Sequence, residues 1–175
     1  RITQGAGLDK PTVSPDGRAV VAVQDGEGTN RLVRVDLNTR QIQGLTAFRP
    51  DEHWAYPSWS PDGRWIVASR WSPGAFYDLF VMNADGNVLH RVTYDRAVDQ
   101  APTWSPDGRW ILWSSDRSGI PNLYAVAVDS TTGAPGSIRQ VTNVLGGAAY
   151  PSVDPSGGWI YYSGYHANGW NIERI

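Results

Sequence analysis

Apolar residues along this chain gather in short runs rather than on helical faces. The runs Arg18–Val23, Arg64–Ser69, Arg109–Ser114 and Gly158–Ser163 each follow a glycine and are rich in Val, Ile, Trp and Tyr, residues that fit a pleated surface. They lack a clean alternation of apolar and polar positions. Both faces of each predicted strand are therefore expected to be covered, as when a small sheet is sandwiched between neighbours. A second set of runs, Arg31–Asp36, Asp78–Asn83, Asn122–Ala127 and Asn171–Ile175, follows variable loops, and three further segments end alike at Gly44–Thr46, Arg91–Thr93 and Gln140–Thr142. No window carries the 3.6-residue period of an amphipathic helix. The pattern predicts an all-β chain.

What separates the runs also repeats. Pro11-Thr-Val-Ser-Pro-Asp-Gly17 returns as Pro57-Ser-Trp-Ser-Pro-Asp-Gly63 and as Pro102-Thr-Trp-Ser-Pro-Asp-Gly108, while Pro151-Ser-Val-Asp-Pro-Ser-Gly157 is weaker but in phase. The first prolines stand 46, 45 and 49 residues apart, the last interval lengthened around Thr131–Gly136. Ser-Pro-Asp-Gly is a hairpin turn: Pro fixes φ, Asp suits the next position, and Gly takes the left-handed residue that closes it. Four short strands in each unit of this length match the blades of a β-propeller.

Residues 8–50, 51–98 and 99–145 read as three blades, and 146–175 as the first three strands of another. Arg1-Ile2-Thr3 resembles the fourth-strand endings, so residues 1–4 read as the strand that the split blade lacks. The chain thus holds four blades' worth of strands. Either Arg1–Thr3 pairs with Asn171–Ile175 in a closed four-blade ring, or the chain is part of a larger ring completed by other blades or by a second copy; each arrangement removes exposed edges.

Composition narrows the chemistry. Fifteen basic against seventeen acidic side chains leave a net charge of −2, which offers no electrostatic footprint for nucleic acid. The absence of cysteine removes disulfides, thiolate metal sites and a cysteine nucleophile. No apolar stretch approaches the ~18 residues of a membrane span. A start at Arg1 without a basic-then-apolar leader reads as a mature form, an excised domain or part of a longer protein. There is no Gly-x-Ser-x-Gly elbow, no metal-ligand spacing among His53, His90 and His166, and no helix for Gly5-Ala6-Gly7 to cradle a phosphate. No catalysis, metal or cofactor is expected from these residues. Asp16, Asp62 and Asp107 are explained by their turns, and Asp51, Glu52, Asp99 and Asp116 by solvation of loops.

Pro57-Ser-Trp-Ser-Pro-Asp-Gly-Arg-Trp-Ile66, Ser115-Asp-Arg-Ser-Gly119 and Asn122-Leu-Tyr124 resemble the WD40-like (PD40) repeat of TolB-type propellers, over nearly the whole chain. The resemblance implies a propeller, a periplasmic or otherwise extracytoplasmic location, and non-covalent protein binding or scaffolding, as in an accessory subunit of a membrane-associated complex. Similar repeats form the gating propellers of prolyl-oligopeptidase-type serine peptidases, which gives a second reading; carbohydrate binding through exposed aromatics is a third. The chain departs from the pattern at Asp154–Gly157 and in Val13 and Val153, which stand where Trp is expected.

Nine Trp and eight Tyr are the remaining signal, because aromatic anchors dominate protein interfaces. Trp59 and Trp104, before the turns, and Trp65, Trp110 and Trp159, after them, are expected to pack between blades. Trp54, Tyr56, Trp71, Phe76, Tyr77, Tyr150, Tyr165, His166 and Trp170 fall in or beside the connections from fourth to first and from second to third strand. In the family that the repeat resembles, both connections emerge around one mouth of the channel. With Arg70, Arg96, Arg117 and Asp99 as a polar rim, these residues form the expected partner-binding face, and Trp54 and Trp71 are expected to be removable without loss of the fold. For each arginine taken singly, stacking on neighbouring aromatics to stabilise a loop is the competing role.

Overall fold

The turn is the unit from which the rest is assembled. In the computed structural model, which describes residues 1–26, 28–74 and 76–175, Ser14 Oγ donates to Asp16 Oδ1 at 2.6 Å and accepts from Ala19 N at 2.9 Å. Asp16 Oδ1 also accepts from Arg18 N at 3.0 Å. The same bonds recur around Ser60 and Asp62 and around Ser105 and Asp107. Gly17, Gly63, Gly108 and Gly157 close the turns at φ of 69°, 70°, 69° and 74°, a region that only glycine enters without strain. The weak fourth turn proves equivalent with its donor and acceptor exchanged: Asp154 Oδ1 accepts from Trp159 N at 2.8 Å, and Ser156 Oγ donates to Asp154 Oδ2 at 2.6 Å.

Each turn joins two antiparallel strands, and among the described residues fifteen strands form four meandering sheets without helices. The first sheet contains β1 (Leu8–Val13), β2 (Ala19–Gly26), β3 (Thr29–Asp36) and β4 (Ile42–Gly44). The second contains β5 (His53–Trp59), β6 (Trp65–Trp71), β7 (Tyr77–Asn83) and β8 (Val88–Arg91). The third contains β9 (Asp99–Trp104), β10 (Trp110–Ser115), β11 (Asn122–Val128) and β12 (Pro135–Gln140). The fourth contains β13 (Ala148–Val153), β14 (Ile160–His166) and β15 (Gly169–Arg174). This is the all-β propeller architecture that the repeat predicted.

Consecutive sheets pack face to face. Ile66, Ala68 and Trp59 of the second sheet meet Val21, Val23 and Leu32 of the first. On the other face, Val67, Leu79 and Val81 meet Trp104, Ile111 and Trp113 of the third. Neighbouring residues of β6 thus enter different cores, which is why the run shows no alternation. The recurring Thr finishes the fourth strand: Thr46, Thr93 and Thr142 each accept at Oγ1 from a third-strand amide, that of Leu32, Leu79 or Leu123, at 2.8 to 3.0 Å.

The chain ends depart from the closed-ring expectation. Residues 1–4 form no strand, and among the described residues β15 pairs with β14 alone, so Arg1–Thr3 does not pair with Asn171–Ile175. Among the described residues, no packing comparable to that between consecutive sheets joins the first sheet to the last. Ile2 and Thr3 instead lie beside Leu8, Val20, Ala22 and Val35 on the first sheet. Yet Arg1 Nε donates to Thr3 O at 3.2 Å, as Arg91 Nε does to Thr93 O at 2.9 Å, so the segment keeps the local form of a fourth-strand ending. Trp159, expected to pack between blades, is 45% exposed because its face of the fourth sheet has no neighbour, and Arg174 stacks 4.2 Å from its ring centroid.

Two outcomes follow from the turns. Ser156→Asp places two carboxylates in the fourth turn and should cost about 1 kcal/mol at neutral pH. Adding Asp154→Ser rebuilds the Ser-Pro-Asp order and should recover most of that loss in urea titrations; equal stability of the single and double variants would refute the exchange. Hydrogen bonds from Ser105 and Arg109 hold the Asp107 carboxyl down at about 2. The folded pKa is depressed, so its contribution is present above the unfolded value of about 3.9 and is lost as pH falls from there toward about 2. Asp107→Asn should flatten the decline in urea midpoint across that window.

Candidate channel-mouth site

Strand register places the connections from second to third and from fourth to first strand at the end opposite the turns. His53 lies across from Trp71 and Trp71 from Tyr77; Asp99, Ser115 and Asn122 align in the same way, as do Ala148, Gly164 and Asn171. The innermost strands β1, β5, β9 and β13 each break register just before a repeat proline, at Lys10, Tyr56, Ala101 and Tyr150. These four residues adopt φ of 47°, 51°, 53° and 56°, a left-handed conformation that costs non-glycine residues on the order of 1–2 kcal/mol each. The four strained bulges lie side by side along the innermost strands.

They line an open cavity of about 380 Å³ together with Pro57, Pro102 and Pro151. Tyr56 and Tyr150 face each other with ring centroids 6.2 Å apart. The Lys10 ammonium lies 5.5 Å from the Tyr56 centroid and 2.6 Å from the Asp9 carboxylate; its hydrogen bond to Asp9 raises the Lys10 pKa. Burial, followed by the neighbouring Tyr150, raises that of Tyr56. A second cavity of about 270 Å³ adjoins the first, sharing Ala101 and Tyr150 and bounded by Gln100, Asp116, Pro121 and Trp170. Tyr165 supports Trp170 at a centroid distance of 5.2 Å.

The expected face therefore divides. Tyr56, Tyr150 and Trp170 line the two cavities, with Tyr165 behind Trp170. Phe76 is exposed just before β7, and Tyr77, half-buried at its start, lines neither cavity although its phenol is near enough to help raise the Tyr56 pKa, while Trp71 packs against His53 at 5.6 Å. His166 pairs with Glu173 beside Tyr162 rather than at the mouth. Trp54 is core: at 2% exposure it packs among Leu32, Ile66 and Phe80. The expectation that it could be removed without loss of the fold is thus overturned.

The polar rim is largely internal too. Asp99 is fully buried and accepts from Trp113 Nε1 at 2.8 Å and Arg117 at 2.9 Å, so it does not solvate a loop. Arg117 also lies 4.8 Å from the Tyr124 centroid. Arg70 stacks 3.9 Å from the Phe80 centroid and reaches Glu52 at 3.3 Å, and burial lowers its pKa against the pull of Glu52. Both arginines fasten loops to the core. Lys10 carries no aromatic signal in the sequence, yet it occupies the same bulge position as Tyr56, Ala101 and Tyr150 and lines the same cavity. Among the described residues no cluster of three His, Asp or Glu side chains could hold a metal ion. The mouth offers aromatic faces, one ammonium and amide groups, which suit non-covalent recognition.

Residues 2–174 match the PD40 family, the TolB beta propeller domain. The chain belongs to this family. It is 33% identical to the Tol-Pal system protein TolB of Francisella tularensis over 122 residues, 69% of this chain and 27% of that protein. The crystal structure of TolB from Acinetobacter baumannii superposes with a TM-score of 0.79 at 22% identity, covering 95% of this chain and 40% of that one. A puromycin-hydrolysing peptidase of Mycobacterium tuberculosis superposes at 0.74 with 19% identity over 97% of this chain and 30% of its own, a likeness of fold alone. The chain spans between 27% and 53% of the length of the curated relatives it matches.

Trp54→Ala should cost about 3–5 kcal/mol of unfolding free energy, whereas Tyr150→Ala, at a 52% exposed position, should stay within about 1 kcal/mol of the parent. Guanidinium titrations of the two variants check this division between core and mouth.

Proposed function

We propose that this protein is a non-catalytic propeller module of the bacterial envelope that binds a polypeptide segment of a partner protein at the loop-side mouth of its channel. Residues 8–50, 51–98, 99–145 and 146–175 serve as its blade units. The observation that carries the reading is the Tyr56–Tyr150 pair across the channel, continued by Tyr150 into the cavity bounded by Trp170. Rigid aromatic rings desolvate well against a peptide backbone and lose little side-chain entropy on binding. Lys10, Gln100 and Asp116 supply polar contacts at the rim. Four strained bulges held by rigid strands pre-form the surface, which lowers the ordering cost of binding. The extracytoplasmic placement rests on family membership and on a relative that is a Tol-Pal system protein.

The test uses peptides selected for binding from a random display library and then titrated calorimetrically. Tyr150→Ala and Trp170→Ala should each weaken binding about tenfold or more. Val88→Ala, at an exposed position of β8 remote from the mouth, should bind as the parent does. Equal affinity in all three variants would remove the mouth as the binding face.

A further inference from the structure

The third and fourth sheets meet differently from the other pairs. In the second and third sheets the residue before the turn serine is a tryptophan: Trp59 packs with Val21 and Val23 of the sheet before it, and Trp104 with Val67 and Val81. In the fourth sheet that position holds Val153. Opposite it, Ala125 pairs with Leu112 just as Val81 pairs with Val67, so a second side chain is also smaller. Leu112 is one methylene larger than Val67, so the net loss of volume at this point comes chiefly from the missing Trp ring and in smaller part from Ala125. A cavity of about 330 Å³ lies there, lined by Trp110, Leu112, Ala125, Val141, Val153 and Ile160 among others.

The turn end of this junction is open as well. A Cβ at Gly63 would stand 3.7 Å from Pro15 Cδ, and one at Gly108 would stand 3.6 Å from Pro61 Cδ, so those turns touch the turn before them. At Gly157 nothing lies within 4 Å. A cavity of about 490 Å³ fills the gap and shares Ser105, Trp110, Val153 and Gly157 with the first, giving it a route to the surface.

We propose that this junction binds a small planar aromatic molecule of indole size, seated where Trp59 and Trp104 seat their own rings at the preceding junctions. The repeat supplies the template for the ligand. Apolar cavity walls lack dispersion partners, and a ring of the right thickness restores them, the reason dry apolar cavities take up aromatic molecules. The volume sits at the small end of the ~300–1,000 Å³ range of ligand pockets. A ring N–H is accommodated but not required: Trp104 Nε1 donates to Ser58 O at 3.2 Å, whereas Trp59 Nε1 has no partner among the described residues. Arg139, on the cavity wall with its guanidinium 5.7 Å from the Trp110 centroid, admits a neutral or anionic ring and disfavours a cationic one. The site lies toward the turn end, away from the channel mouth, so it stands independently of the peptide-binding reading.

Indole itself is the probe, titrated against the whole chain by calorimetry and followed by NMR. Binding is expected at a Kd of about 1 mM or tighter, with nuclear Overhauser contacts from indole to the methyl groups of Leu112, Val153 and Ile160. Val153→Trp fills the site from within and should raise Tm while weakening indole binding at least about tenfold. Ala125→Val, a smaller filling, should weaken binding in the same direction and decides the matter if the Trp variant does not fold. No binding up to the solubility limit, contacts to other residues, or undiminished affinity in the filled variants would overturn the proposal.

Discussion

Every sheet in this molecule is too small to hold a core by itself, so each must bury both faces against neighbours. Ile66 and Val67 are adjacent in sequence, fully buried, and belong to two different cores. Strand composition and inter-sheet tryptophans both follow from that requirement. Where a neighbour is present, Trp59 and Trp104 are shielded; where none is present, Trp159 and Ile172 stand 45% and 78% exposed. Repeat architectures behave in this way because a unit is stabilised chiefly by the units on either side of it.

The two ends of the strands carry different work. At one end, Ser and Asp side chains satisfy turn amides that would otherwise lack partners, and the exchange of Asp154 and Ser156 shows that the bonding pattern is kept while the residues are not. At the other end, backbone strain is concentrated in four pre-proline bulges whose side chains vary from Lys to Tyr to Ala. A constant scaffold thus presents a changeable ring of side chains, the usual division between structural turns and recognition loops. The arginines behind that ring act inward. Arg70 and Arg117 give up solvent for aromatic faces and carboxylates, so their loops are held at the cost of a free cationic rim.

Much of the fold was legible because the repeat states the same physical instruction several times. One Ser-Pro-Asp-Gly would suggest a turn; recurring copies in phase, each followed by a β-branched or aromatic run, specify a series of blades. The site was half legible. Tyr56 and Tyr150 could be placed beside the channel from their connection taken together with the family resemblance. Trp54 and Asp99 lie two residues before Tyr56 and Ala101, a spacing that shares one face of a regular strand, and the bulge between them turns the first pair into the core and the second to the mouth. No local pattern announces that difference.

The sequence by itself determined the all-β class, the turn chemistry and the strand order within each sheet, since these depend on contacts between residues close in the chain. Tertiary structure decided what required two sheets to meet. It set Arg70 and Arg117 against aromatic rings, buried Trp54 among side chains of two sheets, left the junction at Val153 underfilled, and kept Arg1–Thr3 apart from β15. Those outcomes depend on distances between sheets, set by the sum of packing along the whole series rather than by the identity of any one residue.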